Sequence, residues 1–412
     1  MKKLLNNKEQ KFLLFVAFLA SGADNLFGLA LVFHLKSFFL LDSMQIGIFS
    51  ALQIASYFLS CIIFEKFYEK LKPMVCIALA CGGMFLFSLF MGITKSLNLF
   101  LVLLVLYGAI KSLLWPQLAG LITRGKEGKM LNRTTGKFNF AWSSALGISP
   151  FFSGFIAERS TTLSFFVTCL IMMLAFVFII NNNSARIAPS DKDNSHISNM
   201  LDNSTYLRYF TWVGIFLAYF VNQMTQIVFP IYALEVLHIS ETTTGTIISI
   251  KGIVVALMFI FFGRFDFWHF KISWIIFFQL LVGVAALVLA NISSVLGFIL
   301  LFILIGICFS ALYSFSIFHG MSGTVNKSRR MMIHEVVLAI SCVVGSVVGG
   351  AVYKAFDWRY LMQLCFNIVF IVVVLEFIVL YLRKRSKSMD LMLSWTKKKG
   401  KEDNTLNKQD IN

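Results

Sequence analysis

Asp24, Lys111 and Lys251 stand well inside long apolar runs, where a charge is expensive to keep. A charged side chain at the centre of a bilayer costs about 2.5–3.5 kcal/mol on insertion scales, so it usually marks a pathway or a buried pair. A carboxylate in such a place is a candidate proton carrier. Desolvation favours its neutral form, a neighbouring ammonium favours its charged form, and solute and proton can then compete for it. Asp24 fits that role with Lys111 as its partner; the alternative is an ion pair that only satisfies two buried charges. Asn25, Asn222, Gln223 and Gln226 offer amide donors and acceptors without a full charge. They suit a polar solute, or equally hydrogen bonds between helices. Gln226 lies one helical turn beyond Asn222, so the two share a face. Lys251 reads either as a snorkelling or gate residue near the outer end of its segment, or as a solute contact. Tyr313 reads as a stacking surface for a ligand or as core packing, and Glu376 as a boundary charge two turns from Arg383.

The elements that hold these residues follow from composition. Of 412 residues 58% are hydrophobic and only 14% are charged, more apolar surface than a soluble fold can hide. Apolar stretches of about 20 residues recur throughout, long enough for a helix to cross a hydrocarbon layer of about 30 Å. The pattern predicts helices over 11–40, 44–64, 73–94, 97–121, 135–157, 161–181, 207–236, 243–264, 272–291, 295–319, 331–354 and 359–382. The first is too long for a signal peptide and is read as retained. The net charge of +16 does not indicate nucleic acid, because the basic residues cluster in alternate short connections and in the tail. Lys66, Lys70 and Lys72, then Arg124 to Lys137, then Arg264 and Lys271, fall on one side, while Lys95, Arg159, Lys354 and Arg359 fall on the other. By the positive-inside rule both termini are cytoplasmic, and the high Phe, Asn and Lys usage with short loops points to a bacterial inner membrane as the expected setting.

A polar stretch over 183–206 divides the chain near its middle. Sliding the sequence on itself by about 198 residues aligns the two parts, a shift long enough to carry six helices. Gly47 then falls on Gly245, Lys66 on Arg264, Ser96 on Ser294, Gly108 on Gly306 and Gly147 on Gly345. Asp24 and Asn25 fall on Asn222 and Gln223, and Lys251 falls on Gln53. The expected architecture is therefore an all-α polytopic membrane protein with twelve transmembrane helices in two parallel six-helix repeats. Residues 1–182 and 207–382 form the bundles, 183–206 the central loop, and 383–412 a basic tail. Parallel repeats place a binding site at the midplane between the halves.

With these features the chain resembles the major facilitator superfamily over essentially its whole length. Members often carry a Gly-x-x-x-Asp-Arg-x-Gly-Arg-Arg stretch between helices 2 and 3. Here Cys61 to Lys70 reads CIIFEKFYEK, keeping an acid–base pair at Glu65 and Lys66 but neither glycine. Its echo in the second half includes Arg264 and Asp266. The family's antiporters often show Gly-x-x-x-Gly-Pro-x-x-Gly-Gly in helix 5, and Ala145, Ser149, Pro150, Ser153 and Gly154 fit that pattern with small residues for some glycines. The helix 4 arginine of those antiporters is absent, Leu104 standing four residues before Gly108. The resemblance implies a monomeric secondary transporter of a small solute, working by alternating access, with the loops at 65–72 and 263–271 latching the cytoplasmic face. It implies proton coupling, with a lean to efflux. It also places helices 1, 4, 7 and 10 along the central cavity. On a rise of about 1.5 Å per residue, Asp24 lies roughly 20 Å from the start of its helix and Lys111 roughly 15 Å from the end of an oppositely directed one, so they can meet near the midplane.

Three rival readings remain. Lys111 and Lys251 could anchor an anionic nutrient during uptake, or the scaffold could serve as a membrane sensor that moves nothing. An enzyme is the weakest option, since no nucleophile–base pair, metal cluster or ATPase domain is visible. GLITRGK at Gly120 to Lys126 imitates a phosphate loop, but Glu127 replaces the required Ser or Thr and no strand precedes it. The histidines are scattered, and the seven cysteines form no CxxC pair, so neither metal, disulfide framework nor cofactor is indicated.

Overall fold

The structure is a computed structural model. It describes residues 7–64, 71–123, 128–181, 206–322 and 327–409, with the side chains of 123, 128–132, 327–329, 332 and 386–409 left aside. Twelve helices in it are long and apolar enough to cross a membrane. They are α1 (Asn7–Ser37), α2 (Ser43–Ile63), α3 (Pro73–Ile93), α4 (Leu97–Ile122), α5 (Arg133–Ala157), α6 (Thr161–Asn181), α7 (Leu207–Glu235), α8 (Glu241–Arg264), α9 (Ile272–Leu289), α10 (Val295–Met321), α11 (Ile333–Ala355) and α12 (Trp358–Arg385). Twelve crossings return the chain to the face on which it began. That face is called the near face below and its opposite the far face.

Local chemistry sets the helix starts. Asp42 caps α2, accepting from the Gln45 amide while the Gln45 side chain accepts from the Asp42 amide. Ser240 caps α8, its hydroxyl accepting from the Thr243 amide, and these two caps are related by the 198-residue shift. Ser96 and Ser294, another related pair, cap α4 and α10. Each cap satisfies backbone donors that the first helical turn leaves without partners.

Two departures from the sequence expectation have local causes. α1 ends at Ser37, short of the expected residue 40. The Ser37 hydroxyl turns back to the Phe33 carbonyl, and Leu40 takes a positive φ of 56°, which a helix cannot contain. α4 is broken after Lys111 and resumes at Trp115. Ser112, Leu113 and Leu114 bond three residues back, to Ala109, Ile110 and Lys111. Pro116 has no N–H for the Ser112 carbonyl and its ring crowds that carbonyl, so the helix tightens there instead of continuing. The break directly follows a lysine suspected of function.

Within each half the packing repeats. α3 lies on α6 as α9 lies on α12, α2 on α4 as α8 on α10, and α1 on α5 as α7 on α11. The halves meet mainly through two matching crossings, α5 with α8 and α2 with α11. Small residues make these crossings close. A methyl group on Gly154 would overlap the Glu241 carbonyl, one on Gly245 the Pro150 carbonyl, and one on Gly252 the Leu146 carbonyl. At the other crossing a methyl on Gly47 would overlap the Ser346 carbonyl, and one on Gly350 the Ser43 carbonyl. Small residues let helix backbones approach without a side chain between them, which matters in lipid, where apolar burial gives little drive for association.

Candidate functional site

The expected helix 5 stripe proves two-sided. Gly154 and the Pro150 carbonyl face α8. Ala145 and Ser149 lie beside Gly22 of α1, and Ser153 donates to the Leu26 carbonyl at 2.9 Å. α5 is thus clamped between the helix that carries Asp24 and the helix that carries Lys251. The glycines that answer it on α8, Gly245 and Gly252, lie a heptad apart, a spacing that would have pointed to them.

Asp24 and Lys111, whose pairing the sequence left open as geometrically possible, come together. Lys111 Nζ donates to Asp24 Oδ2 at 2.7 Å, and the two side chains keep 16% and 19% exposure. The ammonium also lies 5.3 Å from the centre of the Tyr57 ring on α2, a favourable cation–π distance. The pair therefore sits at a partly open wall, where a carboxylate can still meet water or solute. Asn25 is turned inward, its amide donating to the carbonyl and hydroxyl of Ser21.

Lys251 departs from the snorkelling reading. It is only 4% exposed, and its Nζ donates to Asn222 Oδ1 at 2.9 Å and to Gln226 Oε1 at 3.3 Å. The Phe302 ring covers it at 5.3 Å. The lysine points into the bundle because amide oxygens await it there, whereas snorkelling needs a path to a polar boundary. Each half thus holds a lysine against the same position of its first helix. In the first half that position is Asp24; in the second it is Asn222, which carries no charge. Gln223, beside it, donates to Ser346 of α11 at 3.0 Å.

Other residues fall elsewhere. Tyr313 is buried in an aromatic cluster with Trp142 of α5, Tyr219 of α7, Phe259 of α8 and His334 of α11, at centroid distances from 5.2 to 6.3 Å. That favours packing between the halves over an open stacking surface. Arg264 and Asp266 are exposed at the near end of α8. The turn they border is held by Trp268, His269 and Phe270 packing on Phe315, Phe318 and His319 of α10. Glu65 and Lys66 lie outside the described residues. Glu376 is not a boundary charge: it is buried and accepts from Gln279 of α9 at 3.2 Å. Its nearness to Arg383 in sequence concealed this.

Glu335 was missed for the same reason, since it follows Arg329 and Arg330 closely. It is exposed on α11, and its charge acts on Tyr57 and Cys61 of α2, Tyr219 of α7 and Tyr313 of α10. Those partners belong to both halves, so Glu335 faces the space between them. Among the described residues no cation lies within ion-pair distance of it. On helical rise it stands about 16 Å nearer the near face than Ser346.

The far face is closed by polar contacts across the halves. Lys36 pairs with Glu235, and Lys354 donates to Asp42 at 2.9 Å. Glu158 accepts from the hydroxyl and amide of Thr242. The hydrogen bond from Lys354 holds the Asp42 carboxyl below its usual range, and the bonds from Thr242 do the same for Glu158. Above the two ion pairs opens a cleft of 520 Å³ lined by Lys36, Asp42, Glu235, Tyr353, Lys354 and Arg359 among others. It is a vestibule on the far face, separate from the midplane charges.

Comparison with known proteins agrees with this architecture. No curated protein matches the sequence. Among solved structures, a POT family transporter in complex with 5-aminolevulinic acid superposes with a TM-score of 0.75 at 11% identity, covering 90% of this chain and 96% of that one. The nucleoside transporter NupG superposes at 0.66 with 12% identity, covering 90% and 99%. The human organic anion transporter MFSD10 (TETRAN) superposes at 0.64 with 15% identity, covering 91% and 100%. At such identities these likenesses show the fold alone. The family model described as Major Facilitator Superfamily matches residues 13–322 and 211–397, so this integral membrane protein, a transporter of small solutes by family, belongs to the Major Facilitator Superfamily.

Proposed function

We propose that the chain is a secondary active transporter that carries a small polar solute by alternating access and couples it to protons. The halves 1–182 and 207–382, tethered by 183–206, rock about the midplane charges with both termini and the 383–412 tail in the cytoplasm. The setting we propose is a bacterial inner membrane, with the monomer as the working unit. The observation that carries the reading is the Asp24–Lys111 pair, a partly open ion pair between two helices at the level where the halves face each other. Protonation of Asp24 frees Lys111 for solute, and solute on Lys111 loosens the hold on Asp24. Competition of that kind drives exchange, and the small-residue stripe of α5 leans the direction to efflux.

The test is the thermal shift of the purified protein against a broad solute panel at two pH values, for wild type and Asp24→Asn, since a ligand of the native state raises its melting temperature. A solute whose shift depends on both pH and Asp24 is the expected result. Shifts indifferent to pH and to Asp24→Asn would contradict the coupling and leave the carboxylate a structural role.

A second reading, movement of an anionic solute, is favoured by the surroundings of Lys251.

A further inference from the structure

Lys251 has no acceptor atoms, so an amide that bonds it must present oxygen and turn its NH2 group away. Asn222 and Gln226 both do so. Among the described residues neither NH2 group has an acceptor, and no carboxylate lies within ion-pair distance of Lys251. When the amine is protonated, the result is a local set made only of donors, one ammonium and two amide groups, with no counter-charge beside it in the bundle interior. A buried ammonium without a counter-charge is unfavourable, and an arriving anion would relieve it.

Gly28 occupies, in the first half, the position of Gln226 in the second, one turn beyond Asp24 on the same face. It is exposed, and a Cβ built there meets nothing within 4 Å. Asn222 and Gln226 are themselves only partly buried, so their outward NH2 groups can be reached. The first-half lysine is already neutralised by Asp24, which leaves the second-half lysine as the cation free to take a ligand's charge.

We infer that Lys251, Asn222 and Gln226 form an anion subsite that holds the carboxylate or phosphate group of the transported solute. The inference rests on the transport reading for the word transported, and stands apart from it as a binding site. Lysine acts as a point charge, and the two amides set the direction of approach without demanding the planar fork that arginine would impose.

The experiment pairs charged probes with neutral isosteres on the full-length purified protein. Acetate, lactate, succinate and inorganic phosphate are titrated by thermal shift beside acetamide, lactamide and succinamide, for wild type, Lys251→Gln and Lys251→Arg. An anion-specific shift in wild type is expected, with its amide counterpart silent. Lys251→Gln should weaken that binding about tenfold to a hundredfold, the range of a charge-assisted hydrogen bond. Lys251→Arg should recover part of it. Lys251→Gln without ligand should melt no lower than wild type, because it removes an uncompensated charge and keeps an amide bond. The inference is overturned if no anion shifts wild type, if amides shift it equally, or if Lys251→Gln leaves the anion shift intact. Counterflow in proteoliposomes separates the two claims: a neutral solute moved in place of anions sinks the subsite and spares transport. Anions bound but not moved keep the subsite and sink the transport reading.

Discussion

At the scale of single residues the decisive feature is how each buried charge is balanced. Asp24 and Lys111 neutralise each other at 2.7 Å, and both side chains are less than a fifth exposed. Removing one partner of such a pair leaves the other charge uncompensated, while removing both is far milder. Lys111→Gln alone is therefore expected to lower stability by about 3 kcal/mol, the low end for buried pairs because some water reaches this one. Combining it with Asp24→Asn should recover most of that loss, as read by denaturation of the four proteins of the cycle. Equal and additive losses would mean that the two side chains do not act on each other. The two charges were legible in the sequence because a charge in an apolar run has few innocent explanations; their pairing was possible on helical rise but not decided by it. Lys251 was visible for the same reason, but its partners were not: a sequence shows that Asn222 and Gln226 share a face, not which neighbouring helix turns toward them. Glu335 and Glu376 stayed hidden because arginines nearby in sequence made them look like residues of the membrane boundary.

At the scale of helices, the resemblance to a helix 5 motif pointed to one side of a contact whose other side lies in α8. Gly245 packs on the Pro150 carbonyl of α5 so closely that a Cβ must displace backbone. Gly263, on the same helix, is exposed and has open space where a Cβ would stand. Gly245→Ala should therefore destabilise by about 1–3 kcal/mol, the usual range for overpacking. Gly263→Ala should be neutral or gain up to about 1 kcal/mol from helix propensity. Thermal melts of the two variants side by side check this, and a matching response would mean that the crossing of α5 on α8 is looser than described. Helix number and approximate limits were readable because hydropathy over about 20 residues is a strong cue. The break after Lys111 was not read, although Pro116 stood in plain view, because the apolar run continues across it.

At the scale of the molecule, two six-helix halves meet through crossings related by the same 198-residue shift that the sequence displays, and the far face is shut by Lys36–Glu235, Asp42–Lys354 and Glu158–Thr242. A transporter that rocks must break such contacts and spare the packing within each half. Their pH response has a definite sign. Asp42 and Glu158 are held below the usual carboxylate range, so their contribution is complete above the ordinary carboxylate pKa and is lost as pH falls through the lowered values. At neutral pH both carboxylates therefore hold their contacts in full, and the latch weakens as pH falls below the ordinary carboxylate range.

Pulsed electron–electron resonance between spin labels at Lys95→Cys and Ser293→Cys, two exposed far-face positions in opposite halves, tests the rocking of the halves most directly. With the native cysteines replaced, one short distance should dominate at pH 7, and Asp42→Asn should add a longer one at that same pH. In the protein with Asp42 intact the longer distance should grow as pH falls through the lowered carboxylate values. A single distance, unchanged by acid and by Asp42→Asn, would contradict alternating access through this face.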